Sequence, residues 1–127
     1  MEIDGRSLMS EAKFYEGYSR YLDKKEKYEE WGESVSRVMK MHKKYYKGKM
    51  TEELADLMSF AETSYANKEM LGAQRALQFG GDQLLKNHAK MYNCAGTYCD
   101  RVQFFREFMW MLLSGAGVGT SVQKQHV

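Results

Sequence analysis

Not one proline occurs in the 127 residues of this chain, where an average chain of that length carries about six. Proline breaks helix interiors and stiffens turns. Its absence, together with ten methionines and nine tyrosines, favours long helices and few rigid turns. Apolar spacing then predicts four helices. The first is expected over residues 11–30, with Phe14, Tyr15, Tyr18 and Leu22 on one face and Trp31-Gly32 as its end. The second spans residues 33–46, with Val35, Val38, Met39, His42 and Tyr46 at helical spacing before a break at Lys47-Gly48-Lys49. The third follows Thr51, a good N-cap, and places Glu52 and Glu53 where the helix dipole favours acid. Its stripe is Leu54, Leu57, Met58, Ala61 and Tyr65.

After Met70 the character changes. Residues 71–99 hold four glycines and short apolar runs. Leu77-Gln78-Phe79 and Met91-Tyr92-Asn93-Cys94-Ala95 read as short strands. The fourth helix is expected from Asp100, which would cap it, with Gln103 completing a pair like a capping box. Phe105, Phe108, Met109 and Leu112 form its expected buried stripe, and Ser114-Gly115 stops it. Thr120-Ser121-Val122-Gln123 reads as a further strand. The expected class is α+β and mostly helical, with a helical region over residues 1–70 and an α/β region over residues 71–127. About three short strands make a marginal sheet by themselves, so the second region looks like the start of an α/β layer.

Charge and hydropathy narrow the function classes. The chain carries 19 basic and 17 acidic residues, a net charge of +2, with no basic block beyond Lys43-Lys44 and Lys47-Lys49. That pattern does not indicate nucleic-acid binding. The longest apolar stretch, Phe104–Leu113, is interrupted by Arg106 and Glu107 and falls short of the roughly 20 residues of a membrane span. The opening Met1-Glu2-Ile3-Asp4 lacks the order of a signal peptide. Cys94 and Cys99 do not make a secreted disulfide framework, so a reducing cytoplasm is expected.

Four features invite a chemical reading. Gly115-Ala116-Gly117-Val118-Gly119 lacks the Gly-Lys-Ser/Thr of a phosphate loop, and Thr120 stands where the dinucleotide fingerprint needs glycine. It also follows a helix, whereas phosphate loops precede one. A helix C-cap with a closely packed turn competes with a backbone that lets a ligand approach. Cys94 and Cys99 lack the spacing of a redox or zinc pair, and three histidines (His42, His88, His126) do not supply a zinc site. Tyr15, Tyr18 and Tyr21 at helical spacing suggest packing rather than a stacking platform. His42, on an apolar face, reads as a core histidine.

Three stretches in order carry a resemblance: Gln74-Arg75-Ala76-Leu77-Gln78-Phe79-Gly80-Gly81, then Tyr92-Asn93-Cys94-Ala95, then, after a helix, Ser114-Gly115-Ala116-Gly117-Val118-Gly119-Thr120-Ser121-Val122-Gln123. The run Tyr18-Ser19-Arg20-Tyr21-Leu22 followed by Trp31-Gly32-Glu33-Ser34-Val35 adds to it. Together they resemble the N-terminal part of a ribonucleotide reductase catalytic chain, closest to the adenosylcobalamin-dependent (class II) type of bacteria and phages. The resemblance implies that helices lead into the first strands of a ten-stranded α/β barrel, incomplete here. It implies an oxidoreductase that converts ribonucleotides to deoxyribonucleotides by radical chemistry. Cys94 would be one half of the substrate-reducing cysteine pair, and Asn93 and Gly117 would lie against the substrate. Asp100 matches an acidic position associated with the allosteric deoxynucleotide effector.

The sequence departs from the family at Ala76, where serine or threonine usually meets substrate phosphate, and at Gly96-Thr97-Tyr98, which replaces a more typical Tyr-Leu-Pro run. Cys99 has no family role. The radical-bearing cysteine, the second reducing cysteine, the C-terminal reloading pair and the adenosylcobalamin site belong to parts of the barrel not in this sequence. An interrupted gene product, or a split enzyme docking onto a second polypeptide through a large interface, would account for that. The expected partners are therefore a ribonucleotide substrate, a deoxynucleotide effector and the remaining barrel, with no nucleic acid and no membrane. The alternative is a stand-alone helical interaction module that pairs through methionine- and tyrosine-rich faces. A nucleotide binder using the glycine turn alone ranks last on spacing.

Overall fold

The structure, a computed structural model, describes residues 4–126. It is mostly helical with a few short strands, an α+β arrangement, and it divides into two compact units, Met1–Asp82 and Gln83–Val127.

In the first unit, α1 (Gly5–Gly17) starts where Asp4 accepts a hydrogen bond from the Arg6 N–H. The long first helix expected from the sequence is therefore two elements. α1 ends at Gly17, and a small antiparallel hairpin follows, β1 (Tyr21–Leu22) and β2 (Lys27–Tyr28), with Tyr21 opposite Tyr28. Glu26 takes a left-handed turn conformation (φ 49°), which bends the chain where a continuous helix would run straight. Trp31 does not end a helix but opens α2 (Trp31–Tyr45), through a reciprocal capping box between Glu30 and Glu33. The core side of α2 is Val35, Val38, Met39 and Met41. A 3-10 turn over Lys47–Lys49 leads to α3 (Glu52–Ala66), capped as expected by Thr51, whose hydroxyl accepts from the Leu54 N–H at 3.2 Å. Met58 and Tyr65 of α3 are buried, but Leu57, placed in the buried stripe by its spacing, is exposed.

Gln74–Phe79, read in part as a strand, is the helix α4. A short apolar run is ambiguous between the two forms, and here α4 packs on α2 and buries Ala76 and Leu77. That packing carries the first unit beyond the composition change at Met70, to Asp82. One guanidinium organises this end. Arg37 donates to both carboxylate oxygens of Glu29 and to the carbonyls of Tyr18, Leu77 and Gly80. Glu29, almost fully buried, also accepts from the Ser34 hydroxyl.

After α5 (Asp82–Lys86), the second unit is built from β3 (Cys94–Tyr98), α6 (Phe104–Leu113) and β4 (Gly117–Ser121). β3 begins later than the expected strand, because His88–Met91 forms a 3-10 turn. β4 likewise begins earlier than Thr120. α6 starts at Phe104, and its expected buried stripe is turned. Phe104 is buried, whereas Phe105, Met109 and Leu112 are exposed.

Candidate functional site

β3 and β4 run parallel, side by side, with Cys94 opposite Gly117, Ala95 opposite Val118 and Tyr98 opposite Ser121. Parallel neighbours need a crossover connection, and α6 supplies it. The turn into β4 is a helix end stabilised by its own backbone. The Gly115 N–H donates to the Leu112 carbonyl at 2.9 Å and the Ala116 N–H to the Met111 carbonyl at 3.1 Å. Gly115 takes the positive φ (89°) that this double hydrogen-bond motif requires. The glycine run is thus no phosphate loop. Gly115 ends a helix, and Gly117 and Gly119 lie within a strand.

The Gly117 N–H donates to the Asn93 carbonyl at 2.9 Å. Three of the expected site residues, Asn93, Cys94 and Gly117, therefore meet at the amino ends of the two strands. Side chains alternate along a strand, and half-buried Ala95, Thr97 and Val118 share one face. The other face carries Cys94, Gly96 and Tyr98 beside Gly117 and Gly119. It is open: a methyl group placed on Gly96 or Gly119 would meet no atom within 4 Å, and on Gly117 only the Asn93 carbonyl at 3.4 Å. Packing within the unit does not demand glycine at these positions. The result is bare backbone with an exposed thiol at one end.

Cys94 and Cys99 are both free. Five residues of extended chain separate their α-carbons by about 16 Å, beyond the roughly 7 Å a disulfide allows. Cys99 is therefore not the disulfide partner of Cys94.

Asp100 is not with the other three. It follows the far end of β3, and it does not cap α6. Its carboxylate accepts from Arg101 Nη1 at 2.7 Å, and Arg101 Nη2 also pairs with Glu107. Residues 101–103 form a turn that holds Asp100 outside the helix. The same carboxyl end of the sheet holds a contact that sequence reasoning missed. The His126 ring lies 4.4 Å from the Tyr98 ring, and its Nδ1 shares a hydrogen bond with the Ser121 hydroxyl at 2.9 Å. The parallel register sets Tyr98 beside Ser121, so spacing along the chain gave no signal for the Tyr98–His126 contact.

In the first unit the tyrosine run forms no platform. Tyr15 meets Phe14 edge-on, Tyr18 donates to the Gln74 side chain, and Tyr21 packs on Tyr28. His42 is half-buried, and burial lowers its pKa. Among the described residues no three His, Cys, Asp or Glu side chains gather as metal ligands. The resemblance assigns the seat of adenosylcobalamin to none of these residues. No described helix is long and apolar enough to cross a membrane. No protein-family model matches this chain, and no curated protein or solved structure does either.

Proposed function

We propose that this chain is the N-terminal portion of a ribonucleotide reductase, with Cys94 as one half of the cysteine pair that reduces the ribose. The observation that carries the reading is the register. Cys94 and Gly117, assigned from two separate motifs, stand opposite each other on adjacent parallel strands, and Asn93 is bonded to the same turn. A face paved with Gly96, Gly117 and Gly119 suits a nucleotide lying close to backbone. In the full reaction Cys94 and a second cysteine of the barrel lose two hydrogens and join as a disulfide. The 2′ hydroxyl leaves as water, and a C–H bond takes its place. Adenosylcobalamin would be held by other parts of the enzyme and, bound there, would supply the radical chemistry. β3, α6 and β4 would be the first strand-helix-strand unit of the ten-stranded barrel, with the rest contributed by the remaining barrel. Asp100, at the carboxyl end of β3, would serve the deoxynucleotide effector apart from the reducing site. The enzyme would work in the cytoplasm.

The test is the chain isolated from its native cells with whatever polypeptide accompanies it, supplied with ribonucleotide, adenosylcobalamin and a dithiol protein reductant. The reading expects a companion carrying the remaining barrel cysteines and steady deoxynucleotide formation. Cys94→Ser should abolish that turnover while the complex still assembles. Unchanged turnover in the variant, or a companion without barrel cysteines, would sink the assignment. The second reading, a stand-alone interaction module, draws on the capped helices and buried core of the first unit. It expects the isolated chain to unfold cooperatively, with no reductase partner.

A further inference from the structure

We infer that residues 45–60 form a self-complementary docking surface on which a second copy of this chain seats. The stretch runs from the end of α2 through the 3-10 turn into the outer face of α3. It exposes four large side chains that spacing or size would bury: Tyr45 (57%), Tyr46 (38%), Leu57 (57%) and Phe60 (69%). Met50 lies among them, also exposed. The charges here are sorted by position, with Lys47 and Lys49 preceding Glu52, Glu53 and Asp56.

Nearby charges find partners within the unit. Lys43 pairs with Glu62 at 2.6 Å and Lys44 with Asp82 at 2.6 Å. Among the described residues, Lys47, Lys49, Glu52, Glu53 and Asp56 make no such pair. Glu52 and Glu53 are partly explained by the positive end of α3. Asp56 lies beyond the first turn, and the dipole explains neither Leu57 nor Phe60. Glu52, Glu53, Asp56, Leu57 and Phe60 line one shallow hollow of about 520 Å³.

The occupant follows from complementarity. What would cover an acidic face with apolar anchors is a basic face with apolar anchors. Tyr45, Tyr46, Lys47 and Lys49 are such a face, on the same chain and directly adjoining. Because the two patches adjoin, a two-fold axis between copies sets each acidic patch against the other copy's basic patch at once, an isologous contact. A patch this small falls below the size of a permanent interface, so the dimer is weak, salt-sensitive and dependent on concentration. The inference stands apart from the reductase reading, since it uses no residue of the second unit.

The experiment is sedimentation equilibrium of the full chain over a concentration series, at low and high salt. Two variants are compared, Lys47→Glu with Lys49→Glu, and Glu53→Lys with Asp56→Lys. Circular dichroism checks that each remains helical. The wild-type chain should dimerise, less so in high salt. Each variant alone should associate roughly tenfold more weakly or worse, from several surface pairs lost or reversed. Mixing the two variants should restore a heterodimer, and all four substitutions in one chain should restore self-association. A wild-type chain monomeric at every concentration overturns the proposal. So does a dimer insensitive to both reversals, or a mixture that fails to recover.

Discussion

At the scale of single residues, Gly80 shows how little freedom some positions have. A β-carbon there would lie 2.2 Å from the Ala76 carbonyl oxygen and 3.2 Å from Val38. The first contact is with backbone and cannot be relieved by a rotamer. Gly80→Ala must shift the end of α4, and overpacking of that kind costs about 1–3 kcal/mol. A thermal melt should show the loss, and an unchanged midpoint would mean the turn is softer than its geometry. The sequence motif Phe79-Gly80-Gly81 was legible, but as part of a resemblance rather than as a steric requirement. Arg37 was not legible at all. Its partners run from Tyr18 to Gly80, and no local pattern links residues so far apart. The same holds for Cys94 and Gly117: their motifs stood out, whereas their pairing appears only once β4 is laid beside β3.

Elements were legible where a local cap defines them. Thr51 opens α3 and Ser114-Gly115 closes α6, because a hydroxyl or a glycine at a helix end acts within one turn. The hairpin Tyr21–Tyr28 was hidden, since its tyrosines also fit helical spacing. α2 shows a cap whose strength depends on acid. The Glu33 carboxyl is lowered to about 2 by the Lys25 ammonium, then by the Glu30 N–H it accepts. The unfolded value is 4.5, so the folded state favours the carboxylate. The stabilisation is fully present above pH 4.5 and is lost as pH falls through about 2. Amide exchange at Ser34 and Val35 should therefore quicken across that window relative to the middle of α2. In Glu33→Gln that pH-dependent quickening should vanish. Quickening that persists in the variant would place the acid sensitivity elsewhere, with Glu29 the first candidate: burial opposes its ionisation, but hydrogen bonds from Arg37 and Ser34 outweigh burial and lower its pKa.

The molecule as a whole is two units with unequal means of stability. The first has a buried core from α2, α3 and α4. The second pairs two five-residue strands under one helix, and parallel sheets are ordinarily covered on both faces. Its helix leaves Phe105, Met109, Trp110, Leu112 and Leu113 exposed, together with Val102 before it. Exposed apolar area of that extent marks an interaction surface, and on the reductase reading the remaining barrel covers it. Trp110, 60% exposed, is a built-in reporter. With Trp31→Phe removing the other indole, the isolated chain should emit at long wavelength and be quenched readily by iodide. Adding the polypeptide that carries the rest of the barrel should move the emission to the blue and protect it from iodide. The second unit should also resist proteolysis only in the complex, because a two-stranded sheet is marginal by itself. If Trp110 is shielded in the isolated chain, the helix already has its partner and the surface is not waiting for a barrel. If it stays exposed with catalytically active partner bound, the barrel closes around the strands and leaves α6 on the outside.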